Sequence, residues 1–391
     1  MVDAPLFFLI AGEASGDLLG ARLMQGLKKK TDGQVRFAGI GGPRMRAEGI
    51  DLLFPQEELA HMGFFELLRH IPRILGRIKQ TVAAVKRMRP VALVTIDSPD
   101  FSFRVARALK GQGIPLIHYV APSVWAWRPG RAKKVAQFLD HLLALLPFEP
   151  PYFTKEGLAC TFVGHSIVES GAGAGSGARF RAKYNIPENA ELLTVLPGSR
   201  IGIIGRLLPI FGETVARLKT RHPHLQVIIP SISSLVPFIK EQTAGWDVPV
   251  TVIESDADKY DAFAASRAAL ACSGTVAVEL ALARLPTVVA YKVSWLSGCI
   301  ARAFLKVKYA SLVNLMHDKM LVPECLQNNC TPEKLTEALC ELLDNEVARK
   351  KQIEGLSDVA GWLGQGHFVP SERAAEVVLD AARTKRAAKA A

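Results

Sequence analysis

With 391 residues, 49% of them hydrophobic, the chain is too long for one ordinary core and fits two α/β domains of roughly 150 residues each, an arrangement that implies a cleft. Its six cysteines are scattered with no Cys-x-x-Cys pair and no zinc-type spacing against the nine histidines, as expected of buried thiols in a reducing compartment. The formal charge of +11 is uneven: Arg69 to Arg89, Phe101 to Leu139 and Arg284 to Lys308 carry basic residues with no acidic one between them, a field for polyanions or anionic lipid surfaces.

In chain order, the apolar run Leu6–Ala11 follows Asp3 without a preceding positive region, so it reads as a first buried strand rather than a signal peptide. No uninterrupted apolar stretch approaches the ~18 residues of a membrane-spanning helix. A protein made and kept in the cytoplasm is expected. The strand runs into Gly12-Glu13-Ala14-Ser15-Gly16-Asp17 and a helix, Asp17–Lys30, a turn whose amides can hold an anion. It lacks the Gly-x-Gly-x-x-Gly fingerprint, and no suitably placed acid follows the next strand, Arg36–Ile40, so no redox cofactor is expected. A close-packed turn capped by Asp17 accounts for the glycines but not for Glu13 and Ser15.

Residues Met62–Lys79 interleave basic with aliphatic and aromatic side chains, a pattern that suits a helix in a membrane interface and suits nucleic acid poorly. A solvated helix packed on its own domain is the other reading. Trp295–Lys308 repeats the pattern. Strand Val91–Ile96 then opens into Asp97-Ser98-Pro99-Asp100, two carboxylates where a parallel sheet presents its reactive edge. Either one is a general base, or Asp100 caps the next helix, Phe103–Gly111, and Asp97 braces the turn. Strands Leu116–Val120, Leu142–Leu146 and Thr161–Val163 complete a parallel α/β domain over 1–170.

The glycine-rich stretch Gly171–Gly177 is the predicted linker to a second domain, 178–366. There the alternation restarts: strand Leu192–Leu196, helix Leu207–Arg221, strand Gln226–Pro230, helix Leu235–Ala244, strand Val250–Ile253, helix Lys259–Ala265, strand Ala268–Ala271, helix Val276–Leu282 and strand Thr287–Ala290. The first of these strands opens into Pro197-Gly198-Ser199-Arg200, offering amides and a guanidinium suited to bidentate phosphate contact. Strand Ala268–Ala271 opens into Cys272-Ser273-Gly274-Thr275, hydroxyls and orphan amides for a second phosphate oxygen, with Glu279 about one turn on, placed to grip a ribose diol. Asp256-Ala-Asp258 resembles a metal-holding Asp-x-Asp, but its place between a strand and a helix makes these loop and cap residues, and no metal is expected. A C-terminal helix, Ser371–Arg386 within 367–391, is expected to pack back on the first domain. A nucleotide diphosphate held by the second domain, with carboxylates on the first, is the arrangement of a two-domain sugar-nucleotide glycosyltransferase whose leaving group meets protein charge and helix dipole.

Nearly the whole chain resembles the lipid-A-disaccharide synthase family. The segments that carry the resemblance are Ala11–Asp17, Gly42-Pro43-Arg44-Met45, Met62-Gly63-Phe64-Phe65-Glu66, Ile96–Phe101, His118–Arg128, Pro147-Phe148-Glu149, Val163-Gly164-His165, Leu196–Arg200, Ser273-Gly274-Thr275 with Glu279, and Pro323-Glu324 with Gln327. The run through Ser123, Trp125 and Trp127 is highly specific. The resemblance implies a GT-B fold of two doubly wound, Rossmann-like domains and an inverting, metal-independent transfer. It implies that UDP-2,3-diacylglucosamine and 2,3-diacylglucosamine 1-phosphate are joined into the β-1,6 lipid A disaccharide phosphate, with release of UDP.

It further implies a base-like Asp at Asp97, with Asp100 or Glu13 as alternatives, and a nucleotide-contacting Arg at Arg200. Glu279, Asn314, Glu324 and Gln327 would face uridine, ribose or phosphates. Ser15, Met62, Phe64, Phe65 and Glu66 would serve the acceptor and its acyl chains; Ser123, Trp125, Trp127, Arg128 and Arg131 would line the acceptor side, although both tryptophans also suit a core. The implied setting is peripheral, on the cytoplasmic face of the inner membrane of a Gram-negative bacterium; a homodimer is left open. Two departures stand out: Ile203 where the family usually has Glu, and Val313 where it commonly has Pro. A UDP-sugar 2-epimerase on the same architecture and a non-catalytic lipid or nucleotide carrier are the rival functions.

Overall fold

Runs of Leu, Ile, Val, Phe and Ala that are buried from end to end need cover on both faces, which is the condition for a parallel sheet between helices. Ala92–Ile96 and Ala268–Cys272 are the clearest cases, with every residue buried. The computed structural model describes residues 4–60, 67–127, 130–293 and 307–390. The chain divides into two compact units, Met1–Ser166 with Gly366–Ala391, and Ile167–Gln365.

The first unit holds strands β1 (Leu6–Ala11), β2 (Arg36–Gly41), β3 (Asp51–Pro55), β4 (Ala92–Ile96), β5 (Leu116–Tyr119), β6 (His141–Ala144) and β7 (Ala159–Phe162). They lie in the order β3-β2-β1-β4-β5-β6-β7, all parallel. The order reverses between β1 and β4, whose ends Ala11 and Ile96 are paired. The second unit repeats the plan with β8 (Glu191–Leu196), β9 (Leu225–Pro230), β10 (Val250–Ile253), β11 (Ala268–Cys272), β12 (Thr287–Tyr291) and β13 (Glu324–Leu326). Its order is β10-β9-β8-β11-β12-β13, and it reverses between β8 and β11. Ligands of open α/β sheets gather at such reversals, because the loops there diverge to opposite faces.

The edge strands β3 and β13 are absent from the sequence expectation. β3 offers only Leu52-Leu53-Phe54 between Asp51 and Pro55, and β13 is three residues long, so each is too short to stand out in the sequence; pairing with β2 and β12 defines them. The helix predicted from Leu207 begins instead at Ile201 and runs to Lys219 through Gly202, Gly205 and Pro209. Burial of Ile204, Leu207, Leu208 and Phe211 against the sheet outweighs those poor helix formers.

In 171–177, Gly173, Gly175 and Gly177 serve close approach. A Cβ on Gly175 would sit 1.9 Å from the Tyr260 carbonyl oxygen, and one on Gly177 2.8 Å from that of Ala264. The stretch is thereby fastened to the helix Asp256–Ala265 inside the second unit, and the unit boundary falls earlier, after Ser166. The C-terminal helix Pro370–Ala390 lies in the first unit, with Ala374, Ala375 and Val378 in the core beside Leu23 and Leu27. Lys29 meets Glu372 at 2.6 Å, and Lys30 pairs with Glu376.

Asp17, 3% exposed, caps the next helix and not its own, whose N-cap residue is Glu13 with no side-chain bond. The Asp17 carboxylate accepts from the amides of Gly42 (2.8 Å), Arg44 (3.0 Å) and Met45 (3.0 Å), the orphan donors that begin the helix Pro43–Ala47. Asp17→Ala would strand three amides away from water, and we expect a loss of about 2 kcal/mol or more, read as a lower urea midpoint with unchanged slope.

Candidate active site

At the reversal of the first sheet, β1 ends in Gly12 and Glu13, and the helix Ala14–Lys30 starts at once. Beside it β4 ends in Asp97 and Ser98, both with left-handed backbone (φ 50° and 42°), before the helix Pro99–Ala108. Two consecutive non-glycine residues in that region are unusual and cost energy that the surroundings must offset. The surroundings are visible. The Asp97 amide donates to Tyr119 O at 3.0 Å, and Ser102 Oγ donates to Asp97 O at 3.0 Å. Gly12 leaves the room Ser98 occupies, since a Cβ there would lie 2.6 Å from Ser98 Oγ.

This turn holds the Asp97 side chain half-buried, with Ser15 Oγ 3.4 Å from Oδ2, a long contact that leaves the carboxylate accepting capacity. Glu13, Ser15 and Asp100 are exposed. Ser98, not Asp100, is the N-cap residue, and Asp100 sits in the first turn where its charge suits the helix dipole.

The loop after β5 flanks this site. Val120, β-branched, has φ 86°, a strained conformation held by its amide donating to Leu143 O at 3.1 Å. Trp125 is half-buried: its Nε1 donates to Glu149 Oε1 at 3.2 Å, and its ring meets Phe148 edge-on at 5.4 Å. Trp127 is 38% exposed, and Ser123 is exposed. The Arg131 guanidinium stands 5.5 Å from the centre of the Phe103 ring. Beneath it, His118 is buried, bonded to Thr95 Oγ1 through Nδ1 at 2.8 Å, and held neutral, its pKa lowered to about 3 by burial.

At the reversal of the second sheet, β8 opens into Pro197–Arg200, with Gly198 at φ 108° where only glycine is unstrained. Arg200 is the N-cap residue of Ile201–Lys219 and is exposed; its carbonyl accepts from the amides of Ile203 and Ile204, and its guanidinium has no hydrogen-bond or ion-pair partner among the described residues. β11 opens into Ser273, Gly274 and Thr275, whose hydroxyls and amides begin the helix Val276–Leu282. Together these turns line a cavity of about 530 Å³, the size range of a cofactor or substrate pocket, that also takes in Glu279, Lys259, Glu254 and Ile203. Lys259 Nζ lies 3.2 Å from both Glu279 oxygens, so the carboxylate is oriented and its charge compensated within the cavity wall.

The family described as Lipid-A-disaccharide synthetase matches residues 7–378. The lipid-A-disaccharide synthase of Rhodospirillum centenum is 56% identical over 377 residues, 96% of this chain and 94% of the relative. That of Paramagnetospirillum magneticum is 49% identical, covering 96% of this chain and 97% of its own. The chain belongs to the lipid-A-disaccharide synthase family.

As a member of that family it is a hexosyltransferase of lipid A biosynthesis. Solved structures add the fold. A putative UDP-N-acetylglucosamine 2-epimerase from Listeria monocytogenes superposes with a TM-score of 0.65 at 14% identity over 97% of this chain and 96% of its own. Acinetobacter baumannii MurG gives 0.59 at 14% identity, covering 97% and 99%. At such identity these establish the GT-B architecture alone, and the epimerase and carrier readings are not favoured over the synthase family.

Not every expected residue of the synthase site reaches the cavity. Asn314 is fully buried: Nδ2 donates to Val322 O (2.8 Å) and Glu324 Oε1 (2.7 Å), and Oδ1 accepts from the amides of Leu321 (2.8 Å) and Val322 (2.9 Å). Glu324 in turn accepts from the amides of Ala310 and Ser311, each at 2.9 Å. The pair therefore braces the chain before and after 314 instead of lining the cavity. Gln327, at φ 52°, accepts from the Val293 amide at 3.2 Å. Asp258 of the Asp-x-Asp sequence is bonded to Lys183 (2.7 Å) and Tyr184 (2.9 Å). Met62, Phe64, Phe65, Glu66 and Arg128 lie outside the described residues, as does 294–306 of the second basic segment.

Sequence reasoning assigned no role to Lys259 or Glu149. Lys259 had no motif to mark it; Glu149 stood in a family segment without a stated partner. Glu149 is 3% exposed, and its Oε2 accepts from the amides of Leu145 (3.1 Å) and Leu146 (3.0 Å), so one carboxylate ties the Trp125 loop to the end of β6. Burial pushes its pKa from 4.5 up to about 7, against the pull of these bonds. The folded state then binds a proton more readily than the unfolded one, so this group's contribution to stability declines as pH rises from about 4.5 to about 7 and is level above that range. Glu149→Gln should flatten that part of the stability profile and abolish a tryptophan fluorescence change centred near pH 7, both measurable in one denaturant series across pH.

Proposed function

We propose that the chain transfers the 2,3-diacylglucosamine of a UDP-linked donor to the 6-hydroxyl of 2,3-diacylglucosamine 1-phosphate. The acceptor oxygen attacks the anomeric carbon, the bond from that carbon to the β-phosphate oxygen breaks, and configuration inverts in a single displacement. Asp97 takes the hydroxyl proton. Arg200, with the amides of Gly274 and Thr275 and the Thr275 hydroxyl, receives the negative charge that develops on departing UDP, while the Ser273 amide and hydroxyl donate to Ala290 O and Ala310 O and hold the turn. Gly198 and Ser199 shape the phosphate turn, and Glu279, oriented by Lys259, is the group for the ribose diol.

The observation that carries this reading is the pairing of chemistry with topology: each sheet reverses where one of the two turns leaves it. Asp97 is favoured over Glu13 and Asp100 as base because it alone of the three is half-buried and oriented by a neighbouring hydroxyl. The acceptor side is assigned to Ser15, Ser123, Trp125, Trp127 and Arg131, with the cationic Arg131 for the acceptor phosphate. Among the described residues no helix is long and apolar enough to cross a membrane. Helix Leu67–Met88 exposes Leu75 at 44% beside Arg73 and Lys79, which supports docking on an anionic inner-leaflet surface.

The test is UDP release from UDP-2,3-diacylglucosamine in mixed micelles, with and without the acceptor, in EDTA. Acceptor-dependent release that persists in EDTA supports the transfer. Release that needs no acceptor would replace it with epimerase-type or hydrolytic chemistry. Release of the protein from membranes at high salt would support electrostatic docking, and retention would overturn it.

A further inference from the structure

We propose that His222, Cys340 and Asp344 form a site for a borderline-soft divalent metal ion, zinc by preference, in the second unit. It lies past the end of Ile201–Lys219, the helix that Arg200 begins, so it belongs to the far side of the phosphate turn and is independent of the transfer chemistry. The imidazole nitrogen, thiol sulfur and carboxylate oxygen lie within 4.8 Å of one another. His222 Nε2 and Asp344 Oδ1 are 3.3 Å apart, the separation that two ligands about 2.0 Å from a tetrahedral ion would have. Cys340 and Asp344 share a face of the helix Pro332–Asp344, four residues apart.

The imidazole is the second observation. His222 is 7% exposed, yet its Nε2 has no hydrogen-bond partner among the described residues, because the Asp344 contact lacks the geometry for one. On the other side Nδ1 lies 2.7 Å from Glu191 Oε2. A carboxylate accepting from Nδ1–H leaves the Nε2 lone pair pointing into the cluster, the arrangement of a histidine ligand oriented from behind. Cys340 is a free thiol, 7% exposed. Arg221 occupies Asp344 Oδ2 at 2.7 Å and leaves Oδ1 to the ion. Thiolate, imidazole and carboxylate together select zinc over hard cations, and the exposed Asp344 edge leaves the fourth position to water. Sequence spacing hides the site, since His222, just past one helix, and Cys340, within another, are far apart in the chain and meet only through packing.

The competing account is an imidazole that merely links Glu191 and Asp344. To decide, the full-length chain is stripped with EDTA, dialysed, and titrated with Co²⁺ and then Zn²⁺. One equivalent of cobalt should produce a thiolate charge-transfer band that zinc abolishes. Cys340→Ser should lose the band, and Glu191→Gln should weaken zinc binding about 10- to 100-fold while keeping its stoichiometry. No band in the wild-type chain, or a band that survives Cys340→Ser, overturns the proposal. If Cys340→Ser does not fold, Asp344→Asn at the exposed position replaces it: a loss of zinc affinity supports the site, and unchanged affinity overturns it.

Discussion

Asp97→Asn should abolish sugar transfer while leaving UDP binding intact. A positioned general base contributes about 10²- to 10⁴-fold, so kcat is expected to fall by that factor with little change in the Kd for UDP. The substitution isolates charge from structure. Position 97 has φ 50°, and Asn tolerates the left-handed region as well as Asp does, so the turn that Tyr119 O and Ser102 Oγ hold stays in place. Ser15 keeps an oxygen to bond. Asp100→Asn, at an exposed position in the first turn of its helix, should cost only a few-fold, and Glu13→Gln likewise. Steady-state kinetics on the three variants decide the assignment: if Asp100→Asn collapses kcat and Asp97→Asn does not, the base is Asp100.

The second large effect belongs to Arg200. Arg200→Ala should reduce kcat about 10²- to 10³-fold, the range seen when a single donor to developing negative charge is removed, and should also raise KM for the donor. Arg200→Lys should recover little of this, since an ammonium cannot reproduce a bidentate guanidinium on a diphosphate. Stability should hold in both variants, because Arg200 makes no side-chain cap bond and its backbone (φ −109°, ψ 121°) suits any residue. Thermal midpoints measured beside the kinetics check this. A large drop in midpoint would mean the guanidinium supports the fold instead of the substrate.

Much of this site is legible in the chain because strand ends announce themselves. Gly12-Glu13, Asp97-Ser98, Gly198-Ser199-Arg200 and Ser273-Gly274-Thr275 each follow an apolar run and precede a helix, so their chemistry and their position on a sheet edge are readable together. The residues read differently by the structure fail for a common reason. Asn314 and Glu324 look like ligand groups by residue type, yet their hydrogen-bonding capacity is taken up by the backbone at 310–311 and 321–322 and by each other. Lys259 looks like an ordinary surface lysine until the cavity wall places it on Glu279.

The sequence by itself determined two parallel α/β domains, the turns at the ends of β1, β4, β8 and β11, and the kinds of group those turns carry, because burial on both faces and the demands of a strand-to-helix turn are written in local residue order. Tertiary structure alone decided which strands are neighbours, so that the acidic and phosphate turns fall at the sheet reversals; that β3 and β13 join the sheets as edge strands; and that Glu149 fastens Trp125. Each of these depends on groups far apart in the chain meeting at hydrogen-bonding distance. Such meetings are set by packing and pairing energies, which no local pattern of residues records.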